Sequence, residues 1–382
     1  MLPLTGVRVL ELANNIAGPY AGFILALLGA DVLKVERPQT GDDARGWGPP
    51  FWRGTSATFQ ALNVNKRGVT LNLKDPEHVE WVGRYVKSCD VLLHNLRPGV
   101  MEAVGLGSTA LIAANPRLVY CNLSAFGPSG PMRLNPGYEP MVQAFSGLFS
   151  VNGFPDRQGA RIGTSVLDLG SAVWAALGCI GGLLQRERTG RGCVVDASLY
   201  ETALALLTVH FARFQASGKL PERHPSGSSA VVIFQAFDTA DGQVIVAAAN
   251  DRLFAKLAGA LDHPEWVHDP RFKSNANRVV NKTELIPLVS EIMRQRTSQE
   301  WVTRLEQAGV PCAPINDLEL VRGHAQTTAL GMLQPGAEIG LDLVSLPLSF
   351  NGTRPSIRTR APRLGEHNGE IAGMPNAKPP TG

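Results

Sequence analysis

The amino-acid sequence lacks most of the short motifs that identify common classes of protein. The 5 cysteines among its 382 residues are scattered and odd in number, with no CxxC pair and no spacing typical of metal ligands. We therefore expect reduced cysteines and no metal site. The chain also has no GxGxxG turn, no Walker A lysine loop and no GxSxG elbow. These absences exclude a standard dinucleotide fingerprint, a P-loop NTPase and a hydrolase of the GxSxG type.

An excess of charge of one sign is also lacking. The 36 Lys and Arg residues nearly balance the 33 Asp and Glu residues, the formal net charge is +3, and no polybasic run occurs. This balance argues against nucleic acid or an anionic membrane as a partner. Arg8 and Glu11 interrupt the region where a signal peptide needs an apolar stretch, and the apolar run 172–184 is short and rich in glycine. We expect a cytoplasmic protein without a membrane span.

Strand and helix patterns alternate through the first half of the chain. Residues 7–12 and 31–36 are β-rich apolar runs on either side of a helical stretch, 20–28, which is the pattern of a βαβ unit. Further strand candidates follow at 69–73, 91–95 and 118–124. The sequence therefore predicts an α/β fold with a Rossmann-like open parallel sheet.

A polar stretch rich in proline and glycine predicts a linker over residues 217–230, after a large domain formed by residues 1–216. A hairpin signal at Asp241-Gly242, followed by helical patterns, then predicts a smaller α+β domain over residues 231–310. Residues 311–324 are the predicted return linker. We expect the segment from about 325–382 to complete the large domain.

Asp168 is the candidate nucleophile of the chain. It follows the apolar pair Val166-Leu167 and precedes small residues, at the predicted start of a helix. A carboxylate in this position is partly desolvated and lies beside a backbone that a ligand can approach. Aspartate is also a favoured N-cap residue, so a purely structural capping role is the alternative interpretation.

Glu102 and the 8 histidines together form no recognisable catalytic triad. His94 stands at the end of a predicted strand. We interpret it as a structural histidine with its hydrogen bonds satisfied.

A series of short motifs runs along nearly the whole chain. In order, they are 17–19 (AGP), 29–38 (GADVLKVERP), 65–67 (NKR), 95–99 (NLRPG), 136–139 (PGYE), 161–170 (RIGTSVLDLG), 189–192 (TGRG), 235–237 (QAF) and 361–367 (APRLGEH). Their order and approximate spacing resemble those of the family III CoA-transferases, also called the CaiB/BaiF family. The resemblance implies a Rossmann-like large domain, a smaller domain and an interlocked homodimer. It also implies that an acyl-CoA and a small carboxylic acid are substrates, with no tightly bound cofactor.

The resemblance further implies that Asp168 attacks the thioester of an acyl-CoA. It implies contacts to coenzyme A from Ile16, Ala17, Arg37, Leu71, Lys74, Asn95 and Leu96. Arg97 joins this set as a cation at a strand end, where a phosphate of CoA would bind. The sequence departs from the family pattern at Ala103, where relatives often have an arginine, which leaves Arg97 as the substitute for that phosphate contact.

Tyr138 and Glu139 precede a predicted helix, so their structural interpretation is a first-turn acid beside a packing aromatic residue. The resemblance places both in the active site. The related 2-methylacyl-CoA racemases carry a histidine at the position of Tyr138, because their proton transfer needs two bases. A tyrosine side chain has an ordinary pKa of about 10 and is a poor base at neutral pH. The sequence therefore favours a transferase.

The resemblance leaves several substrates and one other reaction open. Ile16 stands where the formate and oxalate enzymes have a glutamine, and no run of consecutive glycines precedes Gln235. Both features disfavour oxalate. A dicarboxylate of about four to six carbons or a hydrophobic acid remains as the acceptor, with succinyl-CoA as the candidate donor. The alternative functions are an acyl-CoA isomerase and, more distantly, a CoA-binding module without activity.

Overall fold

The computed structural model describes residues 1–336, 338, 340–371 and 373. The strands are β1 Arg8–Leu12, β2 Asp31–Glu36, β3 Phe51–Trp52, β4 Thr55–Ser56, β5 Lys66–Thr70, β6 Val91–His94, β7 Val119–Ser124, β8 Val194–Ser198, β9 Phe234–Asp238, β10 Gln243–Ala247, β11 Cys312–Pro314, β12 Leu333–Pro335 and β13 Asp342–Val344. The α-helices are α1 Ala17–Leu27, α2 Ala57–Asn63, α3 Pro76–Tyr85, α4 Val100–Ala103, α5 Ser108–Ala114, α6 Glu139–Phe145, α7 Leu148–Val151, α8 Val166–Thr189, α9 Leu199–Leu206, α10 Thr208–Ser217, α11 Asp251–Ala260, α12 Asn275–Val280, α13 Lys282–Met293, α14 Ser298–Ala308, α15 Leu318–Gly323 and α16 Ala325–Leu330.

The described chain divides into two compact units. The first comprises Met1–Leu148, Ile162–Ala212 and the described residues from Ala325 onward. The second comprises Phe149–Arg161 and Arg213–His324. The domain boundaries derived from the sequence stay a prediction.

The core of the first unit is a six-stranded sheet with the strand order β5-β2-β1-β6-β7-β8. Each neighbouring pair of strands is parallel, so the predicted α/β fold with a parallel sheet is confirmed. The chain runs outward from β1 in one direction and from β6 in the other. The loops after β1 and β6 therefore flank a topological switch point, which is where open parallel sheets usually bind ligands.

Apolar side chains fill the space between this sheet and its helices. Leu10, Leu33 and Leu92 of neighbouring strands lie in one buried cluster with Trp81 of α3. The helix α1 also packs against the long helix α8. Strands covered in this way are rich in valine and leucine, which is why β1 and β2 could be predicted from the sequence although each also contains buried charged residues.

The third predicted strand lies earlier in the chain than expected. The sequence favours residues 69–73, but β5 begins at Lys66, which pairs with Val32 of β2. Lys66 is buried and charged, so an apolar pattern could not detect it. Residues after Leu71 turn instead toward α3, where Asp75 caps the helix by accepting a hydrogen bond from the Glu77 backbone.

Several strands have no sequence prediction, and β8 and β11 are the two that belong to the larger sheets. In the first unit, β8 contains Asp196 among its valines and forms the edge of the parallel sheet beside β7. In the second unit, β11 lies within the segment 311–324 and pairs antiparallel with β10. Both are short edge strands with partly exposed residues, and such strands give only a weak hydrophobic pattern.

The second unit contains a three-stranded sheet in the order β11-β10-β9. The predicted hairpin about Asp241-Gly242 is confirmed, because β9 and β10 pair antiparallel on either side of it. Trp301 of α14 and Phe254 of α11 are buried in the core of this unit. Arg278 is also fully buried and donates hydrogen bonds to backbone carbonyls and to Asp251.

The free edge of β5 is covered by residues from the far end of the chain. The His367 backbone donates to the Gly68 carbonyl at 3.0 Å, and the His367 Nδ1 accepts from the Gly68 backbone at 3.1 Å. The Thr70 backbone donates to the Asn368 side chain at 3.0 Å. A Cβ at Gly68 would lie 2.8 Å from Pro362, so glycine permits this close approach. The motif at 361–367 therefore protects a sheet edge from pairing with another chain.

Candidate active site

A cleft opens at the carboxyl ends of the central strands of the first unit. Its cavity volume is about 190 Å³. The lining residues are Asn15, Ile16, Ala17, Trp47, Asn95, Leu96, Arg97, Pro98, Leu123, Ser124, Ala125, Asn135, Pro136, Gly137, Tyr138, Glu139, Asp168 and Leu199. The cleft therefore lies at the switch point between β1 and β6, with carboxylates, amides and a cation in its walls.

Asp168 lies in the first turn of α8 and is half-buried. Ser165 occupies the N-cap position because the helix begins at Val166. The interpretation of Asp168 as an N-cap is therefore wrong. The first turn of a helix stabilises negative charge, since its unpaired backbone N–H groups point toward the helix start. The aspartate carboxylate thus has an electrostatic reason for this position and lines the cleft.

Glu139 and Tyr138 lie at the start of α6. Glu139 is in the first turn of α6 and is only 3% exposed, but it is one of the residues that line the cleft. Tyr138 is 63% exposed, so it does not pack as the structural interpretation expects. The structure therefore brings Glu139, Tyr138 and Asp168 to one cleft.

The residues expected to contact CoA divide into two groups. Ile16, Ala17, Asn95, Leu96 and Arg97 line the cleft. The remaining three are not among its lining residues: Arg37 pairs with Asp43, Leu71 is buried in the apolar core, and Lys74 is exposed beyond β5. The sequence motifs thus locate one wall of the cleft, and the other three residues lie elsewhere on the first unit.

The loop after β1, which forms that wall, is held through its backbone. The Lys34 ammonium donates to the Ala13 carbonyl at 2.6 Å. Asn95 accepts from the Asn14 backbone at 2.9 Å and donates to the Asn14 carbonyl at 2.8 Å. The Asn15 backbone donates to Asp42 at 2.8 Å. Side chains from separate parts of the fold therefore fix the loop before any ligand binds.

Lys34 belongs to a buried cluster of charges beneath this loop. It pairs with Glu11 at 3.2 Å and Asp42 at 2.9 Å, and Lys66 pairs with Glu11 at 2.8 Å. Burial acts to lower the pKa of Lys34, but the carboxylates of Glu11 and Asp42 outweigh it and raise the pKa to about 12. Burial dominates at Lys66 and lowers its pKa to about 8. Gly22 of α1 makes room for the cluster, since a Cβ there would overlap the Glu11 carboxylate.

His94 lies at the end of β6 beside the cleft, with its ring edge-on to Tyr120 at 5.3 Å between centroids. It is buried, and its Nδ1 has no hydrogen-bond partner among the described residues. The expectation of a structural histidine with satisfied hydrogen bonds is therefore wrong in its second part. Burial lowers the pKa of His94 to about 4.

We expect His94 to make the free energy of unfolding depend on pH. The unfolded chain binds a proton at about pH 6.5 and the folded protein only near pH 4. The contribution of His94 to the free energy of unfolding is therefore fully present above about pH 6.5. It falls by up to about 3 kcal/mol as the pH drops toward 4. Replacing His94 with phenylalanine, which keeps the contact with Tyr120, should flatten this slope in urea titrations. The exposed His268 provides the control, and equal slopes in wild type and His94→Phe would contradict the prediction.

Some residues of the site have no motif to reveal them. Asn15, Trp47 and Asn135 line the cleft without lying in the quoted motifs. Gln143 of α6 is fully buried and hydrogen-bonds to both Glu139 and Ile162. The spacing of Gln143 one helical turn after Glu139 was the available signal, because residues four apart lie on the same face of a helix.

Within the described part of the chain, no group of three or more His, Cys, Asp or Glu side chains is placed to hold a metal ion. Of the helices that the structure describes, α8 alone is long and apolar enough to cross a membrane by length and composition. The apolar run 172–184 is therefore part of a longer helix than the sequence indicates. This helix packs against α1 and the parallel sheet, and buried core helices pass the same test.

The parallel sheet and the carboxylate-lined cleft at its switch point define an α/β protein with an enzyme-like site. A family model described as CoA-transferase family III matches residues 4–368. The chain is 35% identical over 374 residues to the succinyl-CoA:glutarate CoA-transferase of Mus musculus, covering 97% of this chain and 86% of that protein. It is 37% identical over 375 residues to the succinyl-CoA–D-citramalate CoA-transferase of Chloroflexus aurantiacus, covering 97% and 93%.

Among solved structures, a CaiB/BaiF family protein from Brucella suis matches with a TM-score of 0.86 and 35% sequence identity, covering 97% of this chain and 98% of that chain. The chain belongs to the family III CoA-transferases. It is therefore an enzyme that acts on CoA thioesters.

Proposed function

We propose that the protein transfers coenzyme A from an acyl-CoA to a carboxylic acid through covalent intermediates on Asp168. The observation that carries this proposal is the position of Asp168. Its carboxylate belongs to the first turn of α8, in a cleft that also contains Glu139 and the loop held by Lys34, Asn95 and Asp42. A positioned carboxylate in a partly dehydrated site is a better nucleophile than one in water.

The reaction proceeds in four balanced steps. The Asp168 carboxylate attacks the thioester carbonyl, and the thiolate of CoA leaves to give a mixed anhydride. The thiolate then attacks the aspartyl carbonyl, which releases the donor acid and forms an aspartyl-CoA thioester. The acceptor carboxylate attacks this thioester, giving a second anhydride and free thiolate. Attack of the thiolate on the acyl carbonyl releases the new acyl-CoA and restores the Asp168 carboxylate.

The residues of the first unit that we assign to CoA form two groups, one that lines the cleft and one that lies outside it. The cavity of about 190 Å³ is smaller than the ~300–1,000 Å³ typical of pockets for drug-sized ligands. We infer that Ile16, Ala17, Asn95 and Leu96 contact the thioester end of CoA. Arg97 and the more distant Arg37 and Lys74 then serve the rest of the molecule, as cations for its phosphates, whereas the Leu71 side chain is buried in the core and has no such role.

We propose succinyl-CoA as the donor and a dicarboxylate of about four to six carbons as the acceptor. Relatives named for succinyl-CoA with glutarate or D-citramalate support this choice. The fixed loop and the half-buried nucleophile suit two carboxylates that enter the cleft in turn, because the same site must accept both the donor and the acceptor acid.

Isotope exchange tests this function directly. Succinyl-CoA labelled in the CoA portion is incubated with the protein and a panel of acids that includes glutarate, malate, citramalate, oxalate and a branched fatty acid. We expect a new labelled acyl-CoA with a dicarboxylate and little product with oxalate. Exchange of an α-deuterium without a new thioester would instead show the isomerase alternative, and absence of both reactions would overturn the proposal.

We also propose that the protein is an interlocked homodimer in the cytoplasm, in which each chain has a large Rossmann-like domain and a smaller α+β domain. A row of apolar side chains on α8 supports a dimer: Val173, Trp174, Leu177 and Leu184 are each about half exposed. Apolar rows of this kind usually lie in an interface. We expect a mass of about twice the 40.9 kDa of one chain by light scattering at micromolar concentration, and a mass near one chain would contradict the dimer. Trp174→Glu should shift the protein toward the single-chain mass.

A further inference from the structure

Gln143 joins the two segments of the first unit that carry the carboxylates of the cleft. It lies on α6, one turn after Glu139, and is fully buried. Its Nε2 donates to the Glu139 carboxylate and, at 3.2 Å, to the Ile162 carbonyl. Its Oε1 accepts from the Ile162 backbone at 3.0 Å. Ile162 begins the segment that leads into α8 and Asp168.

The amide group is suited to this double role. A glutamine has two N–H donors and a carbonyl acceptor on one rigid plane, so it can serve a carboxylate and a peptide group together. Buried polar groups of this kind hold their neighbours in one arrangement when their hydrogen bonds are made. An apolar side chain of the same length would fill the space but leave both neighbours without these hydrogen bonds.

We propose that Gln143 is a positioning residue that sets the Glu139 carboxylate relative to the Asp168 segment. This inference rests on the proposed function, because it assigns to Gln143 a part in the transfer reaction. Gln143 is not among the residues that line the cleft. Its effect is on geometry, and displacement of a reacting group by about 1 Å can cost roughly a hundredfold in rate.

Three variants separate positioning from a role in folding. Gln143→Met removes all three hydrogen bonds with little change in volume. Gln143→Glu keeps an acceptor for the Ile162 backbone and replaces the donor to Glu139 with a second carboxylate. Gln60→Met is the matched control, since Gln60 is also a buried glutamine on a helix of the first unit but lies outside the cleft.

We expect kcat to fall by roughly tenfold to a hundredfold in both Gln143 variants. The Kd for CoA, measured by calorimetry, should stay within about threefold of wild type because the CoA contacts are elsewhere. Rates are corrected for the folded fraction. Gln60→Met should keep the wild-type kcat even where its melting temperature falls. A Gln143→Met protein with the kcat of wild type per folded molecule would overturn the proposal.

A double-mutant cycle with Glu139→Gln provides a second test. If Gln143 acts partly through Glu139, Gln143→Met should cost clearly less kcat in the Glu139→Gln background than in wild type. Equal losses in both backgrounds would overturn the link to Glu139. A wild-type protein that exchanges no acid would overturn the proposed function and this inference with it, whereas an active wild type with an unaffected Gln143→Met variant would overturn this inference alone.

Discussion

Replacement of Asp168 with asparagine should leave a folded protein whose transferase turnover is lower by at least about a thousandfold. The amide has nearly the shape of the carboxylate, and Ser165, rather than Asp168, is the N-cap of α8, so the helix loses no cap. An amide cannot form the acyl anhydride, so the covalent route is lost. CoA binding should remain, because the substitution leaves unchanged the cleft wall that contains Ile16, Asn95 and Arg97. Turnover within tenfold of wild type would show that another carboxylate reacts.

Chemical trapping identifies the reacting carboxylate independently of turnover. Wild-type protein mixed with acyl-CoA and then with hydroxylamine or borohydride should be modified at Asp168, because an anhydride or aspartyl thioester is electrophilic and a resting carboxylate is not. Peptide mass spectrometry locates the label. Asp168→Asn is the control and should show none. A label at Glu139 would move the nucleophile to the start of α6.

Replacement of Lys34 with methionine should lower the free energy of unfolding by roughly 3–5 kcal/mol. Lys34 is fully buried, and without its ammonium group Asp42 and one oxygen of Glu11 lose their cation. Such uncompensated buried charges are among the most destabilising changes in a core. The Ala13 carbonyl also loses its donor, so the loop that lines the cleft is released on one side.

Urea denaturation measures this effect, with Lys87→Met as the matched control. Lys87 is exposed on the surface of the same unit, so its replacement should change stability by less than about 0.5 kcal/mol. If Lys34→Met is too unstable to purify, Lys34→Arg tests the same cluster with the charge retained and the geometry changed. A Lys34→Met protein as stable as the control variant would show that the buried cluster contributes little net stability.

The parts of the fold that follow one-dimensional patterns could be predicted from the sequence. The βαβ opening and the hairpin about Asp241-Gly242 depend on apolar periodicity and turn residues, and both are present. The start of β5 could not be predicted. It depends on Lys66, a charged residue in a place where patterns expect an apolar one, and its compensating partner Glu11 is distant in sequence.

The same limit applies to the site. The family resemblance pointed to Ile16, Asn95 and Asp168, and the three lie in one cleft because each follows a strand or begins a helix at the same sheet edge. The resemblance did not separate Lys74 from this group, since a cation after a strand satisfies the same pattern wherever its side chain lies. The spacing of Gln143 to Glu139 is visible in the sequence, but the hydrogen bond from the Ile162 backbone to Gln143 depends on tertiary packing, for which a single sequence carries no signal.

The covering of β5 by the segment around His367 has a consequence for how the protein is made. The ribosome makes β1, β2 and β5 before the other strands of this sheet, but His367, which closes the β5 edge at Gly68, follows 299 residues later. All six strands of the sheet are therefore made before Arg213–His324 of the second unit, and the β5 edge stays open while that segment is translated. We expect nascent chains to depend on chaperones that shield such edges, and polypeptides truncated before residue 361 to aggregate with one another through β5.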